Sequence, residues 1–207
     1  MTAKTKQLRQ EKPEKYAQII EAATREFSSK GFEQGNVNTI AEDLGIGKGT
    51  LYNYIESKEA LFLETIRWSA AKLTAFVKEE IRAHDDPLEK LRAFILADFR
   101  FMDENPHSYQ LIASVFYGAN VIYGKDSRFA EAVQEAYWEF LELLGEIISS
   151  VIRESGAKVG DLDAKIFMVF GLIESLLLYS VVRKISQPDR KKDADRVVRL
   201  LLEGICA

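Results

Sequence analysis

The chain has 207 residues, of which 47% are hydrophobic and 29% charged, the composition of an ordinary globular protein with one large domain or two smaller ones. Its one cysteine, Cys206, excludes an internal disulfide and suggests a reducing compartment. The two histidines are far apart in sequence and no His/Cys cluster has the spacing of metal ligands, so we expect no metal, no cofactor and no enzymatic activity.

The net charge of −4 is unevenly distributed along the chain. Residues 1–58 carry nine Lys or Arg and eight Asp or Glu, so the rest of the chain holds the whole acidic excess. Residues 1–12 are polar and basic and lack the apolar core of a signal peptide, so we expect a flexible arm and a cytoplasmic protein. This modest asymmetry does not by itself identify a nucleic-acid partner.

An amphipathic helix is predicted to follow the arm. Pro13 suits the first turn of a helix and Gly31 suits its end. Between them, apolar residues recur at helical spacing, at Tyr16, Ile19, Ile20, Ala23 and Phe27.

Two short helices around a glycine turn are predicted next. Asn36 can cap the first and Gly45 can end it, and the second begins at Gly47 or Lys48. Apolar side chains occupy one face of the second helix, and its opposite face carries Lys48, Thr50, Asn53 and Tyr54. This is the layout of a helix-turn-helix, whose second helix enters the major groove of DNA.

The residues of this motif resemble the N-terminal domain of the TetR family of transcriptional regulators. The resemblance runs through I-A-x-x-L-G-I-G-K-G-T-L-Y-N-Y-I-E-S-K-E-A-L, with T-L-Y-x-Y at 50–54 and S-K-E-x-L at 57–61 as its core. Three positions depart from the family pattern: the family usually has Thr or Ser at Asn36 and Gly47, and Phe at Ile55. Gly47 therefore lacks a hydroxyl that could contact a phosphate.

The resemblance also implies which side chains meet DNA. Most contacts of a helix-turn-helix go to phosphates, and the residues expected there are Asn36, Thr50, Tyr52, Tyr54 and Lys58. The residues expected near base edges are Asn38, Lys48, Gly49 and Asn53. Lysine can donate to guanine and asparagine can pair with adenine, whereas Gly49 permits close approach of the backbone. For Tyr52, packing in the core of the head is an equally acceptable interpretation.

Six further helices are predicted beyond the motif, and no strand pattern is present. They span about 57–83, 87 to a break at Asn105-Pro106, 109–117, 127–155, 161–184 and 188–205, with a loop at 118–126. The prediction is therefore an all-α fold with about nine helices. It comprises an arm (1–12), a three-helix DNA-binding head (13–56) and a larger ligand-binding and dimerisation domain (57–207).

Residues 166–182 are apolar on all sides apart from Glu174 in their middle. Seventeen residues is the short limit for a membrane span, and a carboxylate at mid-bilayer is costly, so we expect no membrane. We expect burial by the chain's own core and by a second subunit instead. The apolar stripe of the last helix would complete a four-helix dimer interface with Val197, Leu200, Leu201 and Ile205.

Aromatic residues are frequent in the C-terminal part, and by analogy with the family some of them line an effector pocket among the helices. The apolar lining suggests an apolar or amphipathic effector, such as an acyl chain or an aromatic compound. The candidate lining residues are Phe101, Tyr109, Phe116, Tyr137 and Phe170. Arg100 or Glu174 is the candidate polar anchor, and these two side chains could meet inside the domain.

Taken together, these features predict a homodimeric, ligand-responsive transcriptional regulator, most simply a repressor that leaves a near-palindromic double-stranded operator when its effector binds. The alternative is a helical binding or adaptor protein with a vestigial DNA-binding head. The intact Lys48, Thr50, Tyr54 and Lys58 argue against that alternative.

Overall fold

The computed structural model describes residues 12–116, 127–156 and 158–205, with side chains described for all of these except 115, 116, 127–134, 204 and 205. Within this part of the chain there are nine α-helices, a closing π turn and no strand, which confirms the predicted all-α fold. The helices are α1 (Pro13–Gln34), α2 (Val37–Asp43), α3 (Lys48–Leu51), α4 (Lys58–Ile81), α5 (Pro87–Glu104), α6 (Pro106–Phe116), α7 (Ser127–Glu154), α8 (Leu162–Val182) and α9 (Arg190–Leu200), followed by the π turn Leu201–Ile205. The predicted arm (except Lys12), the predicted loop 118–126 and Cys206 lie outside the described residues.

Two compact units divide the chain. Unit 1 comprises residues 1–72 and 105–137, and unit 2 comprises residues 73–104 and 138–207. The predicted head lies wholly within unit 1, where α1, α2 and α3 are joined by the first part of α4 and by α6. Helix α4 runs without a break from unit 1 into unit 2.

The core of unit 1 is organised around α1. Its inward face is fully buried at Ile19, Ile20 and Phe27, and the helix packs along α6. The ring of Phe27 meets the ring of Phe62 edge-on at 5.2 Å, so the first helix of the head is fixed to α4. Burying three such side chains stabilises the unit by several kcal/mol, at about 1.5–3 kcal/mol each.

Gly31 ends the regular part of α1, as its position in the sequence predicts. Its φ of 71° and ψ of 179° break the helical path, and residues 32–34 then form one further turn. Such a backbone conformation is open to glycine and costly for residues with a Cβ.

Aromatic packing fills the core of unit 2. The ring of Phe94 on α5 lies 4.9 Å from the ring of Phe140 on α7, which in turn lies 6.3 Å from Phe170 on α8. These three helices are thereby packed together, and α9 packs along α5. Phe94, Phe140 and Phe170 are each buried, so they form the interior of the unit rather than a surface.

Candidate functional site

The start of α2 is fixed by a network of side-chain hydrogen bonds. The Oδ1 atom of Asn36 accepts from the backbone N–H of Asn38 at 2.9 Å, which is the predicted N-cap. The backbone N–H of Asn36 donates to Oε1 of Glu26 at 2.9 Å, and the same oxygen accepts from Nζ of Lys30 at 2.9 Å. Glu26 is buried, so this carboxylate connects α1 firmly to the first residue of the motif.

A glycine turn then connects α2 to α3. Gly45 has a φ of 61°, in the left-handed region, and its N–H donates to the carbonyl of Glu42 at 3.0 Å. The N–H of Ile46 donates to the carbonyl of Ala41 at 3.0 Å, which closes the end of α2. The chain re-enters a helix at Lys48, with Gly47 as the residue before it.

The leading end of α3 is open to solvent. Lys48, Gly49 and Thr50 are exposed, whereas Leu51 and Ile55 are buried at 0% and 1% exposure, as predicted for the inward face. Asn36 and Asn38 at the start of α2 are also exposed, and Asn53 is half-buried. Eight of the nine predicted DNA-contact residues therefore keep some side-chain or backbone access to solvent, and Tyr54 is the exception.

The two tyrosines of the motif differ in exposure. Tyr52 is 39% exposed, so the alternative in which its ring packs in the core is wrong. Tyr54 is 5% exposed, so its predicted place on the outer face is wrong and its ring belongs to the core of the head. The physical reason is that the N–H of Tyr54 donates to the carbonyl of Leu51, three residues back, at 2.9 Å. A turn of this tightness places residue 54 on the same side as the buried Leu51.

Lys58 makes an internal contact that the sequence did not reveal. Its Nζ donates to the backbone carbonyl of Glu33 at 3.0 Å and lies 4.9 Å from the centre of the Phe32 ring. A cation at this place stabilises the last carbonyls of α1. An ammonium has three donors, so a phosphate contact by Lys58 stays a prediction beside this structural role.

Gly49 has no packing role in the described part of the chain. A Cβ added at this position would meet no atom within 4 Å, and its backbone is helical. By contrast, a Cβ at Gly35 would lie 2.5 Å from Cδ1 of Phe27, so that glycine is required by the fold. No contact with the described residues therefore explains why glycine occupies this position, which is the one predicted to let the backbone approach DNA closely.

The residues predicted to line an effector pocket are divided between the two units. Phe101 and Phe170 are buried in unit 2, whereas Tyr109 and Tyr137 belong to unit 1, and the side chain of Phe116 lies outside the described residues. Within unit 2, Phe101 packs edge-on against Phe76 at 5.7 Å, as a core residue does.

Arg100 does not make the contact with Glu174 that the sequence left open. Its guanidinium is exposed, forms ion pairs with Glu80 and Glu104, and lies 4.8 Å from the centre of the Phe76 ring. Two helical positions cover about 200° at 3.6 residues per turn, so Arg100 lies across the helix from the buried position 98.

The polar group that α5 does place in the interior is Asp98, which sequence reasoning missed. Asp98 is 1% exposed, and its Oδ2 atom has no hydrogen-bond partner. Burial raises the pKa of the Asp98 carboxyl well above its usual range, and the nearby charge of Glu174 raises it further. The signal was available, because Asp98 falls three residues after the buried Ile95 and seven after Leu91 on one helical face.

An apolar surface covers one side of α8. Met168, Leu178 and Val182 are 58%, 63% and 66% exposed, and Phe167, Tyr179 and Val181 are exposed beside them. Leu200, the last residue of α9, is exposed, but Val197 on α9 and Leu201 at the start of the π turn are fully buried within unit 2. The predicted interface stripe is therefore wrong for Val197 and Leu201, because both side chains belong to the core of unit 2, where α9 packs along α5. The side chain of Ile205 is outside the described residues.

Helix α8 is also, in the described residues, the one helix long and apolar enough to cross a membrane, with a third of its most apolar window buried. Core and interface helices of soluble proteins pass the same test. In the same part of the chain, no group of three or more His, Cys, Asp or Glu side chains could hold a metal ion.

Comparisons with known proteins place the motif and the whole fold among bacterial regulators. The family described as bacterial regulatory proteins, tetR family, matches residues 19–65, which contain the entire motif. The fatty acid metabolism regulator protein of Bacillus subtilis is 25% identical over 204 residues, covering 96% of this chain and 98% of its own length. Two solved structures share the fold across 91% of this chain and 98% of their own. They are the fatty acid degradation regulator FadR from Bacillus halodurans, with a TM-score of 0.74 at 22% identity, and the regulator FadR from Bacillus subtilis in complex with stearoyl-CoA, with a TM-score of 0.75 at 23% identity.

Proposed function

Because the chain belongs to the TetR family of bacterial transcriptional regulators, we propose that it acts as a homodimeric, ligand-responsive repressor. In this proposal the head binds a near-palindromic operator, and an apolar or amphipathic effector bound in unit 2 releases it. The observation that carries the proposal is the exposed leading end of α3, where Lys48, Gly49 and Thr50 follow a glycine turn in the geometry that a major-groove reader needs.

The DNA contacts divide by chemistry. Lys48 supplies hydrogen-bond donors and Asn53 supplies a side-chain amide for contacts to base edges. Gly49 has no side chain, which allows α3 to approach the DNA closely. Asn36, Thr50, Tyr52 and Lys58 offer donors to phosphates around the groove. Exposure of the Tyr52 ring supports this assignment, and the buried ring of Tyr54 gives that residue a supporting role instead.

The effector class is suggested by the relatives and by the interior of unit 2. One solved structure with this fold is a fatty acid degradation regulator, another was solved with stearoyl-CoA, and the Bacillus subtilis relative is a fatty acid metabolism regulator protein. The interior of unit 2 contains buried aromatic rings such as Phe101, Phe140 and Phe170, which are suitable neighbours for an acyl chain. Asp98, with an unpartnered oxygen beside Glu174, replaces Arg100 as the candidate polar anchor.

Release of DNA follows if the effector favours one conformation of unit 2. Helix α4 begins beside the head at Lys58 and continues to Ile81, so a displacement of its second half changes the direction of its first half. In a dimer such a change alters the distance between the two α3 helices. The effector shifts operator affinity only by its differential affinity for the two states, typically about 1–3 kcal/mol.

The dimer is supported by the exposed apolar face of α8 together with Leu200 on α9. Contiguous apolar surface of this kind marks interfaces in soluble proteins, and a helical pair from each subunit forms a four-helix interface. A second subunit also accounts for the apolar character of α8 in a cytoplasmic protein without a membrane.

Selection of DNA from a random pool by the purified protein tests the proposal. If the protein is a regulator, it enriches one near-palindromic sequence. Binding of the protein to this sequence is then titrated with and without fatty acids, acyl-CoAs and aromatic drugs that raise its melting temperature. Enrichment of no sequence would favour the adaptor alternative. Ligands that raise the melting temperature yet leave operator affinity unchanged would refute the release mechanism and leave DNA binding intact.

A further inference from the structure

A groove between α7 and α8 has an acidic and aromatic lining. It has a volume of about 420 Å³, within the range of small-molecule sites, and all of its lining residues belong to unit 2. Three carboxylates line it, those of Glu142, Glu146 and Asp163, and the part of the chain that the structure describes contributes no Lys, Arg or His to the lining. Like charges on a concave surface concentrate a negative field, so this groove attracts cations.

Two of these carboxylates are not neutralised by a neighbouring cation. Neither Glu146 nor Asp163 forms an ion pair with any described residue, whereas Glu139, also on α7, pairs with Nζ of Lys78 at 2.5 Å. The repulsion between them is unfavourable and would be relieved by a bound positive charge. A metal ion does not suit them, because no group of three or more described His, Cys, Asp or Glu side chains could hold one. The cation that fits is therefore an organic one.

Aromatic rings stand on both walls of the groove. Trp138 on α7 is 52% exposed and Phe167 on α8 is 55% exposed. The indole N–H of Trp138 donates to Oε1 of Glu142, which fixes the direction of the ring. The face of an aromatic ring attracts an ammonium group, and tryptophan does so best. Rings and carboxylates thus recognise the same kind of ligand.

The floor of the groove combines close helix packing with an available hydroxyl. A Cβ at Gly145 would lie 2.7 Å from Cδ1 of Ile166, so glycine at this position lets α7 and α8 approach closely. Ser149, also in the lining, is only 6% exposed, and its hydroxyl has no hydrogen-bond partner among the described residues. By contrast, the hydroxyl of Ser150 donates to the carbonyl of Glu146 at 2.9 Å. A buried hydroxyl without a partner is unfavourable, and its oxygen can accept an N–H from a ligand.

The groove is long enough for an extended apolar chain. Along α7 its lining runs from Trp138 to Ser149, eleven positions apart, which is about 16 Å at a rise of about 1.5 Å per residue. Apolar surface in the lining comes from Leu141, Leu162 and Ile166. The dimensions and the chemistry of the groove therefore match a ligand with an apolar chain and a cationic end.

We propose that this groove is a second small-molecule site, which binds a protonated amine that carries an apolar chain. The ammonium group is held by the ring of Trp138 and by the carboxylates of Glu146 and Asp163, and the chain lies along the apolar part of the lining. The site goes beyond the proposed function, because Asp98, the candidate anchor of the effector, is not in its lining. It also selects the opposite charge, since the phosphates of an acyl-CoA or the carboxylate of a fatty acid would be repelled here.

Calorimetric titration of the 207-residue protein with dodecylammonium tests the proposal, and dodecanoate is the probe of equal chain length and opposite charge. We expect dodecylammonium binding that weakens as salt is added, because the carboxylates are exposed and screened. Glu146→Gln and Asp163→Asn should each weaken it about 3-fold, and the double variant about 10-fold. Any affinity for dodecanoate should stay unchanged. Glu154→Gln, which removes an exposed carboxylate of α7 outside the groove, is the matched control.

Substitution of Trp138 tests the aromatic wall separately from the charges. Trp138→Leu keeps an apolar side chain but removes the ring, so it should weaken dodecylammonium binding about 3-fold. Trp138→Phe keeps an aromatic face and should recover part of that loss. Equal affinity in the Leu and Phe variants would show that the ring does not contact the ammonium group.

Each other outcome overturns the site in a recognisable way. If the wild-type protein binds no dodecylammonium, or if the double variant binds it as tightly as Glu154→Gln does, the groove is not its site. If binding of dodecanoate weakens as much as that of dodecylammonium, the substitutions act on unit 2 as a whole and charge recognition is wrong. If the double variant sediments differently from the wild type, the groove is occupied by a second copy of the chain rather than by a small molecule. Selection of DNA from a random pool involves none of these residues, so the proposed function stands or fails separately.

Discussion

The ammonium of Lys58 lies 3.0 Å from the backbone carbonyl oxygen of Glu33, so the first residue of α4 holds the last turn of α1 in place. The face of the Phe32 ring supports the same ammonium. Lys58 therefore contributes to the stability of the head, whereas Lys48 is exposed and has no such contact among the described residues.

Lys48→Ala and Lys58→Ala should separate base reading from the support of the head. Lys48→Ala should change the free energy of unfolding by no more than about 0.5 kcal/mol. It should weaken binding to the preferred DNA sequence by roughly 1–3 kcal/mol and make binding less dependent on the base sequence. Lys58→Ala should lower stability by about 1 kcal/mol and weaken all sequences alike. Thermal unfolding and DNA titration at several salt concentrations measure both. An unchanged salt slope for Lys58→Ala would show that this residue acts only within the head.

Gly49→Ala should weaken operator binding without harming the fold. Alanine favours a helix over glycine by about 1 kcal/mol, and the new methyl group meets nothing in the chain, so stability should stay equal or rise. Gly35→Ala is the control, since its methyl group would collide with Phe27 and should destabilise the head. Full operator affinity in a stable Gly49→Ala protein would show that DNA does not approach this backbone closely.

The two tyrosines should respond to truncation in opposite ways. Tyr52→Ala should leave the unfolding temperature nearly unchanged and reduce DNA affinity, because its ring is exposed. Tyr54→Ala should lower stability by roughly 3 kcal/mol, because it removes a buried ring. Paired measurements of melting temperature and operator affinity check this, and a stable Tyr54→Ala head would contradict the core role of Tyr54.

Asp98 should make the protein less stable as the pH rises. Its folded-state pKa lies above the unfolded value, so the folded state holds a proton that the unfolded state releases from about pH 4 upwards. Stability should therefore fall with increasing pH until the folded-state pKa is passed. Asp98→Asn should flatten this dependence in thermal unfolding between pH 4 and pH 8. If the wild-type protein instead gained stability relative to Asp98→Asn as the pH rose from 4 to 8, the raised pKa of Asp98 would be contradicted.

Leu200→Glu and Leu201→Glu should have different consequences although the residues are adjacent. Leu200 is 51% exposed and belongs to the proposed dimer interface, so its replacement should dissociate the dimer while the subunit stays folded. Leu201 is fully buried, so its replacement places a charge in the core and should unfold unit 2. Sedimentation combined with circular dichroism distinguishes the two effects; a folded Leu201→Glu monomer would contradict the burial of that side chain.

Much of this architecture could be read from the sequence because local signals and tertiary packing agree. Asn36 caps α2, Gly31 and Gly45 end helices, and Pro13, Pro87 and Pro106 each begin one. The inward face of the motif is also as predicted at Leu51 and Ile55. These are effects of a few neighbouring residues, which periodicity and capping chemistry describe well.

The errors occur where packing between distant segments decides. The burial of Tyr54 is the exception, because it follows from the local tightening of the chain after Leu51. The internal contact of Lys58 depends on a carbonyl 25 residues earlier. Arg100 and Asp98 lie two positions apart, yet only contacts from α4 and α8 show which of them faces inwards.

The internal ties of Lys30 and Lys58 bear on how such a regulator would find its site in a genome. One lysine is paired with Glu26 and the other with the carbonyl of Glu33, so part of the positive charge of the head is held within the protein. Attraction to random DNA grows with the number of counterions that free cations displace. With fewer free cations, we expect the protein to leave random sequence sooner and to search by brief landings rather than long slides. The time spent at the correct site is then set mainly by the contacts of α3 with the bases.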